Sequence, residues 1–209
     1  RHIYVPDPGK VFVYRDYSQA EARVVAYLAQ EEALIELFND PSRDVHRENA
    51  ARIFRIALEA VTDERRYLAK RIIHASNYGM EAKKFVEVVN KDAADSWTRK
   101  GTGIRITLTE ARRLLESYFL LYPGIRDVFW KDCEKELRDT RTLTSPFGRK
   151  RQFFGRWEGN PNFLLEAYTF KPQSTVGDLC CKALVRCYHE IPECDVLLNV
   201  HDSILVQCD

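Results

Sequence analysis

The sequence lacks any long apolar run. Among its 209 residues, 45% of which are hydrophobic, no stretch approaches the roughly 18 uninterrupted apolar residues that a membrane helix requires. Residues 1–10 also lack the apolar block of a secretory signal. We therefore expect a soluble, globular, cytoplasmic protein with no membrane partner, large enough for one domain or two closely packed subdomains.

Cysteine spacing typical of a metal site is also missing. The six cysteines include no CxxC pair and have no histidine at zinc-site spacing, which argues against both a zinc site and a disulfide framework. We expect all six to be reduced, and most of them to be packing residues. They are Cys133, Cys180, Cys181, Cys187, Cys194 and Cys208.

An excess of charge of one sign is absent as well. The formal net charge of +1 neither favours nor excludes a nucleic-acid partner, because local clustering decides such binding. Local basic clusters are present in "ERRYLAKR", "WTRKGTGIR" and "FGRKRQFFGR".

The hydrophobic pattern of the first half predicts mixed α and β structure. It predicts a strand over 11–16 and helices over 24–38, 45–54 and 62–76. Thr62 or Asp63 can cap the last of these helices, and Gly79 supplies permissive backbone where it ends.

The second half predicts further helices and two hairpins. The expected order is a polar surface loop over about 91–105, a helix opened by a Thr107–Glu110 capping box, a helix over 125–138, a hairpin over 141–154, helical structure over 161–190 and a C-terminal hairpin. Pro172 should kink or interrupt the helical structure around it.

Two aspartates stand at the ends of predicted strands. Asp16 closes the first strand and Asp202 lies at the tip of the last hairpin, so a small antiparallel sheet could place them side by side. Carboxylates that close repel each other unless a cation lies between them. Mg²⁺ suits such a pair because it takes one or two carboxylates together with substrate phosphates. Either aspartate alone could instead be a helix cap or an Asx turn.

Two other patterns near these aspartates allow different interpretations. The run from Ser18 to Glu21 fits a capping box, which would explain Glu21 without any chemistry. The consecutive residues His201, Asp202 and Ser203 suggest a hydrolytic triad, but neighbours on one turn rarely converge on one reacting atom.

A cationic stripe follows the helix predicted over 62–76. Arg66, Lys70 and His74 recur every four residues and therefore share one helical face. Like charges at this spacing are mildly destabilising unless an anion compensates them, and a triphosphate is such an anion. The alternative is a solvated basic face.

These residues lie in motifs that resemble those of family A DNA polymerases, the group of bacterial DNA polymerase I and its phage relatives. "DYSQAEAR" resembles motif A, "RRYLAKRIIHASNYG" resembles motif B on the fingers helix, and "NVHDSILV" resembles motif C. The segments "DVHRENAARIF", "YPGIRDVFW", "SPFGRKRQF" and "QSTVGDLCCKAL" also resemble family segments, in the family's order. The resemblance spans nearly the whole chain.

The resemblance implies an α+β right-hand polymerase fold with a small antiparallel palm sheet and mostly helical fingers. It divides the chain into palm at 1–40, fingers at 41–122 and palm again at 123–209. It further implies template-directed DNA synthesis in replication or repair by a monomer that uses primer-template DNA, dNTPs and two Mg²⁺ ions, with Mn²⁺ as an alternative. The departures from the family pattern that are described below resemble phage members, which suggests a viral parent and would place the protein in the host cytoplasm.

Roles for individual residues follow from the same resemblance. Asp16 and Asp202 correspond to the metal-holding aspartates, and Tyr17 would add its backbone carbonyl. Lys70 corresponds to the residue that binds the triphosphate and donates a proton to the leaving group. Glu21 corresponds to the steric gate that excludes a ribose 2′ hydroxyl.

The remaining assignments concern nucleotide and DNA contacts. The implied nucleotide-binding residues are Gln19, Glu21, His46, Arg66, Lys70, His74 and Tyr78. The implied DNA contacts, which position the duplex without reading its sequence, are Arg149, Arg151, Gln173 and His201.

The chain departs from the family pattern at three places. Ser203 replaces the usual acidic residue after Asp202, for which we expect altered metal affinity or rate rather than loss of activity. His74 stands where the family generally has Phe or Tyr. The loop over 91–105 looks longer than the family norm, and its basic residues could touch DNA or be only solvated.

Neither a thumb nor an exonuclease is recognisable in the sequence, so we expect the segment alone to be poorly active. Two alternatives remain open. A single-subunit RNA polymerase shares the palm and fingers plan, although Glu21 would exclude its substrate. A non-catalytic DNA-binding relative would fit Ser203 and His74, although Asp16, Asp202 and the cationic stripe argue against it.

Overall fold

The computed structural model describes residues 4–94, 103–155, 157 and 160–209. The helices in this part are α1 (Ala20–Leu28), α2 (Glu32–Asn39), α3 (Val45–Phe54), α4 (Asp63–Asn77), α5 (Ala82–Ala94), α6 (Leu108–Leu121), α7 (Lys131–Thr140) and α8 (Pro161–Glu190). A 3₁₀ turn spans Leu58–Ala60, and a π-helical segment, Ile125–Trp130, leads into α7. The strands are β1 (Val11–Asp16), β2 (Thr142–Thr144), β3 (Lys150–Gln152), β4 (Cys194–Val200) and β5 (Ser203–Cys208).

Three strands form the sheet that positions the site. They are antiparallel in the order β1–β5–β4, so the last strand of the chain lies between the first strand and its own hairpin partner. Asp16 pairs with Ser203 across β1 and β5, and Val200 pairs with Ser203 across β4 and β5. The predicted α+β class, with a small antiparallel sheet beside a mostly helical region, is confirmed.

The aromatic core lies in the helical region. Tyr118, Tyr122, Phe85 and Phe129 are among its largest fully buried side chains. Burying one such side chain stabilises a fold by about 1.5–3 kcal/mol. The Tyr118 hydroxyl also donates to Asn77 Oδ1 at 3.1 Å, which ties the end of α4 to this core.

Several local predictions are confirmed by the backbone. The Thr62 hydroxyl caps α4 by accepting from the Arg65 N–H. Thr107 and Glu110 form the reciprocal capping box at the start of α6. Gly79 has a φ of 72° just after α4, which a glycine adopts at low cost.

The predicted helix over 24–38 is wrong, because two helices with a sharp break replace it. Gln30 between α1 and α2 has a φ of 54°. Glu31, the N-cap residue of α2, makes no side-chain cap, and its carboxylate accepts the Gly124 N–H instead. A Cβ on Gly124 would lie 2.2 Å from the Ala29 carbonyl oxygen, so the Pro123–Gly124 turn packs directly on the break. Tertiary contact therefore ends α1 where the sequence has neither Gly nor Pro.

Two further predictions about chain continuity need correction. Pro172 does not interrupt α8, which runs as one helix of 30 residues. The Tyr168 ring, one turn before it, stacks on Trp130 with centroids 4.6 Å apart, so packing against the core supports this stretch. The loop predicted from residue 91 begins later, because α5 continues to Ala94. Residues 95–102, with most of the "WTRKGTGIR" cluster, lie outside the described residues.

The expectation that all six cysteines are reduced is wrong for one pair. Cys194 and Cys208 form a disulfide between β4 and β5. They are directly opposite each other with a Cα–Cα distance of 4.4 Å. A bulge at Leu197 produces this register, because without the extra residue Cys194 would face Asp209.

The other four cysteines are free, and Cys133 and Cys180 are buried as expected. Across the described parts of the chain, none of the helices combines the length and the apolar character needed to cross a bilayer.

Candidate active site

A cavity of about 380 Å³ lies between the sheet and α1, α3 and α4. It brings together residues that are far apart in the sequence, including most of the predicted catalytic and nucleotide-binding side chains. Its lining comprises Asp16, Gln19, Ala20, Glu21, Ala22, His46, Lys70, Ile73, His74, Asn77, Tyr78 and Asp202.

Asp16 and Asp202 meet at one edge of this cavity. Asp16 ends β1 opposite Ser203, and Asp202 is the residue just before Ser203. The Tyr17 N–H donates to the Asp202 carbonyl at 2.9 Å, so the backbone after Asp16 is bonded directly to the hairpin turn. The buried Cys180 thiol lies close enough to both carboxylates for each to raise the pKa of that thiol, although burial is the larger cause.

The donor set at this edge fits a hard divalent cation. Two carboxylates line one cavity, and carboxylate and carbonyl oxygens are the ligands that Mg²⁺ prefers. Within the described residues, no three His, Cys, Asp or Glu side chains form a metal-binding group by themselves. A cation here would therefore depend on oxygens from substrate or water as well.

Glu21 is fixed by Tyr78 and not by a capping box. The Tyr78 hydroxyl donates to Glu21 Oε2, which links the end of α4 to the start of α1. Gln19 is the N-cap of α1, with a φ of 56° and no side-chain cap, so the capping box suggested over 18–21 is wrong. Burial, together with the hydrogen bond and the charge of Glu21, raises the pKa of Tyr78 well above its ordinary value. The phenol is therefore a permanent donor at neutral pH.

His74 packs edge-on against Tyr78, with ring centroids 5.2 Å apart. Burial lowers the pKa of His74, and the nearby Arg71 and Lys70 act in the same direction while Glu21 opposes them. Its imidazole is therefore neutral at pH 7. An uncharged flat ring is thus presented to the cavity beside the Glu21–Tyr78 pair.

The cationic stripe on α4 divides into two parts. Lys70 is exposed at the cavity and makes no ion pair within 4 Å in the described part of the chain. Arg66, one turn earlier, is paired through Nε with Asp44 Oδ2 at 2.6 Å and does not line the cavity. Lys70 and His74 therefore line the cavity, whereas Arg66, the third residue of the cationic stripe, does not.

Two polar atoms in the cavity wall lack partners. His46 is 7% exposed, and its Nδ1 has no hydrogen bond to any described residue. Burial, with added repulsion from Lys70 and Arg66, lowers the pKa of His46 to about 4 despite the nearby Asp44. Gln19 Oε1 is also buried without a partner. Because buried polar groups are nearly always paired, these two atoms are available to a water molecule or to a polar ligand in the cavity.

Ser203 does not face the cavity. It is 2% exposed, and its hydroxyl donates to the Val200 carbonyl at 2.6 Å, closing the hairpin turn. The turn residue His201 has a φ of 56° and an exposed side chain. Ser203 therefore stabilises the hairpin turn and, being uncharged, adds no charge near Asp16 and Asp202.

The predicted DNA contacts are not part of the cavity lining, although His201 is adjacent in sequence to Asp202, which is. Arg149 is paired with Asp178 at 2.5 Å, and Arg151 is paired with Glu166, so both arginines tie the β2–β3 hairpin to α8. Gln173 is exposed on the same helix.

Three acidic residues that hold arginines in place were not predicted from the sequence. They are Asp178, Glu166 and Asp44. Asp44 carries a recognisable signal, because an aspartate just before a helical run predicts an N-cap.

Nearly every residue of this chain aligns with part of a larger known protein. It is 27% identical over 217 residues to DNA polymerase I of Caldicellulosiruptor bescii, covering 99% of this chain and 23% of that protein. It is 30% identical over 214 residues to the thermostable DNA polymerase I of Thermus aquaticus, covering 99% of this chain and 24% of that protein. The chain thus spans about a quarter of the length of these relatives.

A solved structure shares the fold. The POL domain of Pol1 from M. smegmatis, in complex with DNA primer-template and dNTP, matches with a TM-score of 0.78 and 25% sequence identity. The match covers 95% of this chain and 33% of that chain. The family model for DNA polymerase family A matches residues 1–209, and this chain therefore belongs to DNA polymerase family A.

Proposed function

We propose that this chain carries the nucleotidyl-transfer site of a template-directed DNA polymerase. In that reaction the primer 3′ hydroxyl attacks the α-phosphate of a dNTP and pyrophosphate leaves. The observation that carries the proposal is the meeting of Asp16 and Asp202, 186 residues apart, at one edge of a cavity that Lys70 and Glu21 also line.

The sheet side of the cavity would hold two Mg²⁺ ions, or Mn²⁺ as the alternative. Asp16, Asp202 and the Tyr17 carbonyl are the proposed ligands, and their oxygen chemistry supports this choice. When bound, the ions would activate the primer hydroxyl and neutralise charge on the leaving group.

The helical side would bind the triphosphate. Lys70 supports this role because its ammonium group is exposed at the cavity without a carboxylate partner in the described residues. Its three N–H donors can contact phosphate oxygens and deliver a proton to the departing pyrophosphate. His46 contributes its unpaired Nδ1, and Arg66 adds a second cation from the preceding turn of α4.

The sugar of the incoming nucleotide would lie against Glu21, His74 and Tyr78. Because the Tyr78 hydroxyl holds the Glu21 carboxylate, the carboxylate cannot easily move aside for a 2′ hydroxyl. Selection of deoxynucleotides would then come from steric exclusion and from the cost of displacing a partly buried hydrogen bond.

The duplex would lie across the palm, beyond the cavity. We assign it to Arg149, Arg151, Gln173 and His201, which are all exposed. The first two would exchange a carboxylate on α8 for a phosphate, since each guanidinium is already paired. The proposed palm segments are 1–40 and 123–209, with fingers at 41–122. A monomeric state, a cytoplasmic location and a viral parent stay predictions.

Primer extension by the full-length protein tests this function. We expect Mg²⁺-dependent, template-directed extension with dNTPs and little with ribonucleoside triphosphates. Preference for ribonucleotides would instead support an RNA polymerase. Normal primer-template binding with extension no faster than that of Asp16→Ala would support a non-catalytic DNA-binding relative.

A further inference from the structure

We propose that Asp44 is a positioning residue for nucleotide binding, which orients Arg66 and His46 together toward the triphosphate. This inference rests on the proposed function. Asp44 lies in the turn before α3 and does not line the cavity, so it would act only through the two side chains that it fixes.

The two oxygens of the Asp44 carboxylate have separate partners. Oδ1 accepts the N–H groups of His46 and Arg47, each at 3.0 Å, and thereby caps α3. Oδ2 accepts Arg66 Nε at 2.6 Å from α4. One side chain therefore sets the start of the helix that carries His46 and the orientation of a cation on the neighbouring helix.

The contact with Arg66 uses only one edge of the guanidinium. Among the described residues, neither terminal nitrogen, Nη1 or Nη2, has a hydrogen bond to a protein acceptor. These nitrogens form the fork that binds phosphate oxygens in pairs. Asp44 thus holds the guanidinium by its side and leaves the phosphate-binding edge available.

The carboxylate is charged at neutral pH. Partial burial disfavours the ionised form of Asp44, but the hydrogen bonds from Arg66 and the Arg47 N–H outweigh it and lower the pKa. The same carboxylate accepts the His46 N–H, so it fixes the backbone from which the buried imidazole projects. Pre-orientation of this kind reduces the entropy that binding must otherwise remove.

The decisive variant is Asp44→Ser in the full-length protein. Serine retains the helix cap but is too short to reach Arg66. We expect the KM for dNTP to rise about tenfold, with kcat changed less than about threefold, because the lost orientation affects binding. The Kd for dATP on a dideoxy-terminated primer-template should rise by the same factor, and the Tm should stay close to that of wild type.

Asp63→Ser is the matched control. Asp63 also joins α4 to α3 by an ion pair, to Arg47 at 2.9 Å, but it lies on the surface away from the cavity. Its loss should leave KM and Kd unchanged. In the Arg66→Ala background, Asp44→Ser should add little to the rise in KM, since the residue that it orients is already absent.

The inference fails if Asp44→Ser leaves the dATP Kd unchanged, if Asp63→Ser raises it equally, or if the effects of Asp44→Ser and Arg66→Ala simply add. If the wild-type protein does not extend a primer at all, the proposed polymerase function is overturned instead. Even then, the comparison of Kd values between wild type and Asp44→Ser decides the role of Asp44 in binding the triphosphate.

Discussion

Asp16 lies directly across the sheet from Ser203, one residue after Asp202, and the Tyr17 N–H is hydrogen-bonded to the Asp202 carbonyl. Backbone pairing therefore makes Asp16 and Asp202 neighbours at the edge of the cavity that both side chains line.

Neutralising either carboxylate should nearly abolish catalysis. For Asp16→Asn and Asp202→Asn we expect extension rates to fall by at least about 10²–10³-fold, the scale for losing one electrostatic partner of a transition state. Single-turnover extension measures the rate, and DNA binding measured by fluorescence anisotropy should change little. Ser203→Ala is the control, because its hydroxyl serves only the turn, and it should retain activity.

Removing the anchor of Glu21 should weaken sugar selection. Tyr78→Phe deletes the hydroxyl that donates to Glu21, so the carboxylate gains freedom to move away from a 2′ hydroxyl. We expect the preference for dNTP over rNTP to fall by about 10- to 100-fold for Glu21→Ala and by a smaller factor for Tyr78→Phe. The ratio of kcat/KM values gives the result, and an unchanged ratio in Glu21→Ala would contradict the role of Glu21.

His74→Tyr should raise the incorporation of dideoxynucleotides. The phenol supplies a hydroxyl in the sugar region of the cavity, where the neutral imidazole now packs against Tyr78. The measurement is the ratio of chain termination to extension at fixed ddNTP and dNTP concentrations. Equal termination by the two proteins would refute this assignment.

Acid should destabilise the fold partly through His46. Folding lowers the pKa of this residue from 6.5 to about 4, so the unfolded chain binds more protons between these values. The contribution of His46 to stability is therefore complete above pH 6.5 and is lost as the pH falls toward 4, by about 3 kcal/mol. Urea unfolding at pH 7 and pH 4.5 should show a smaller pH effect for His46→Gln than for wild type. An equal effect in both proteins would exclude His46 as a source of acid sensitivity.

Reducing the Cys194–Cys208 disulfide should lower stability. A crosslink that closes a loop of about 15 residues stabilises a fold by about 3 kcal/mol in the chain-entropy model. We expect dithiothreitol to lower the Tm of the wild-type protein but not that of Cys194→Ser. Cys181→Ser, which removes an exposed free thiol, should keep the response to reductant. Alkylation of Cys194 without prior reduction would show that the crosslink is absent in solution.

The sequence predicted those parts of the site that depend on short-range patterns. Alternation identified β1 and the last hairpin, which together place Asp16 and Asp202, and four-residue spacing identified the face of α4 that carries Lys70. The caps at Thr62 and Thr107 were predictable because their partners lie within the next turn.

Features that depend on distant contacts were not predictable. The break between α1 and α2 exists because Gly124, more than ninety positions later, packs on Ala29. The disulfide depends on the bulge at Leu197, since an unbulged hairpin would place Cys194 opposite Asp209. The pairing of Arg66 with Asp44 likewise requires the packing of α3 against α4.

The central position of β5 restrains the backbone that carries the two aspartates. Both edges of this strand are occupied by neighbouring strands, so the backbone at Asp16 is held in register with Ser203, the residue that follows Asp202. A slip of one residue would turn the Asp16 side chain to the opposite face of the sheet. We therefore expect the backbone beneath the two carboxylates to keep its position when substrate binds, so that adjustment at this edge of the cavity comes from rotation of the side chains.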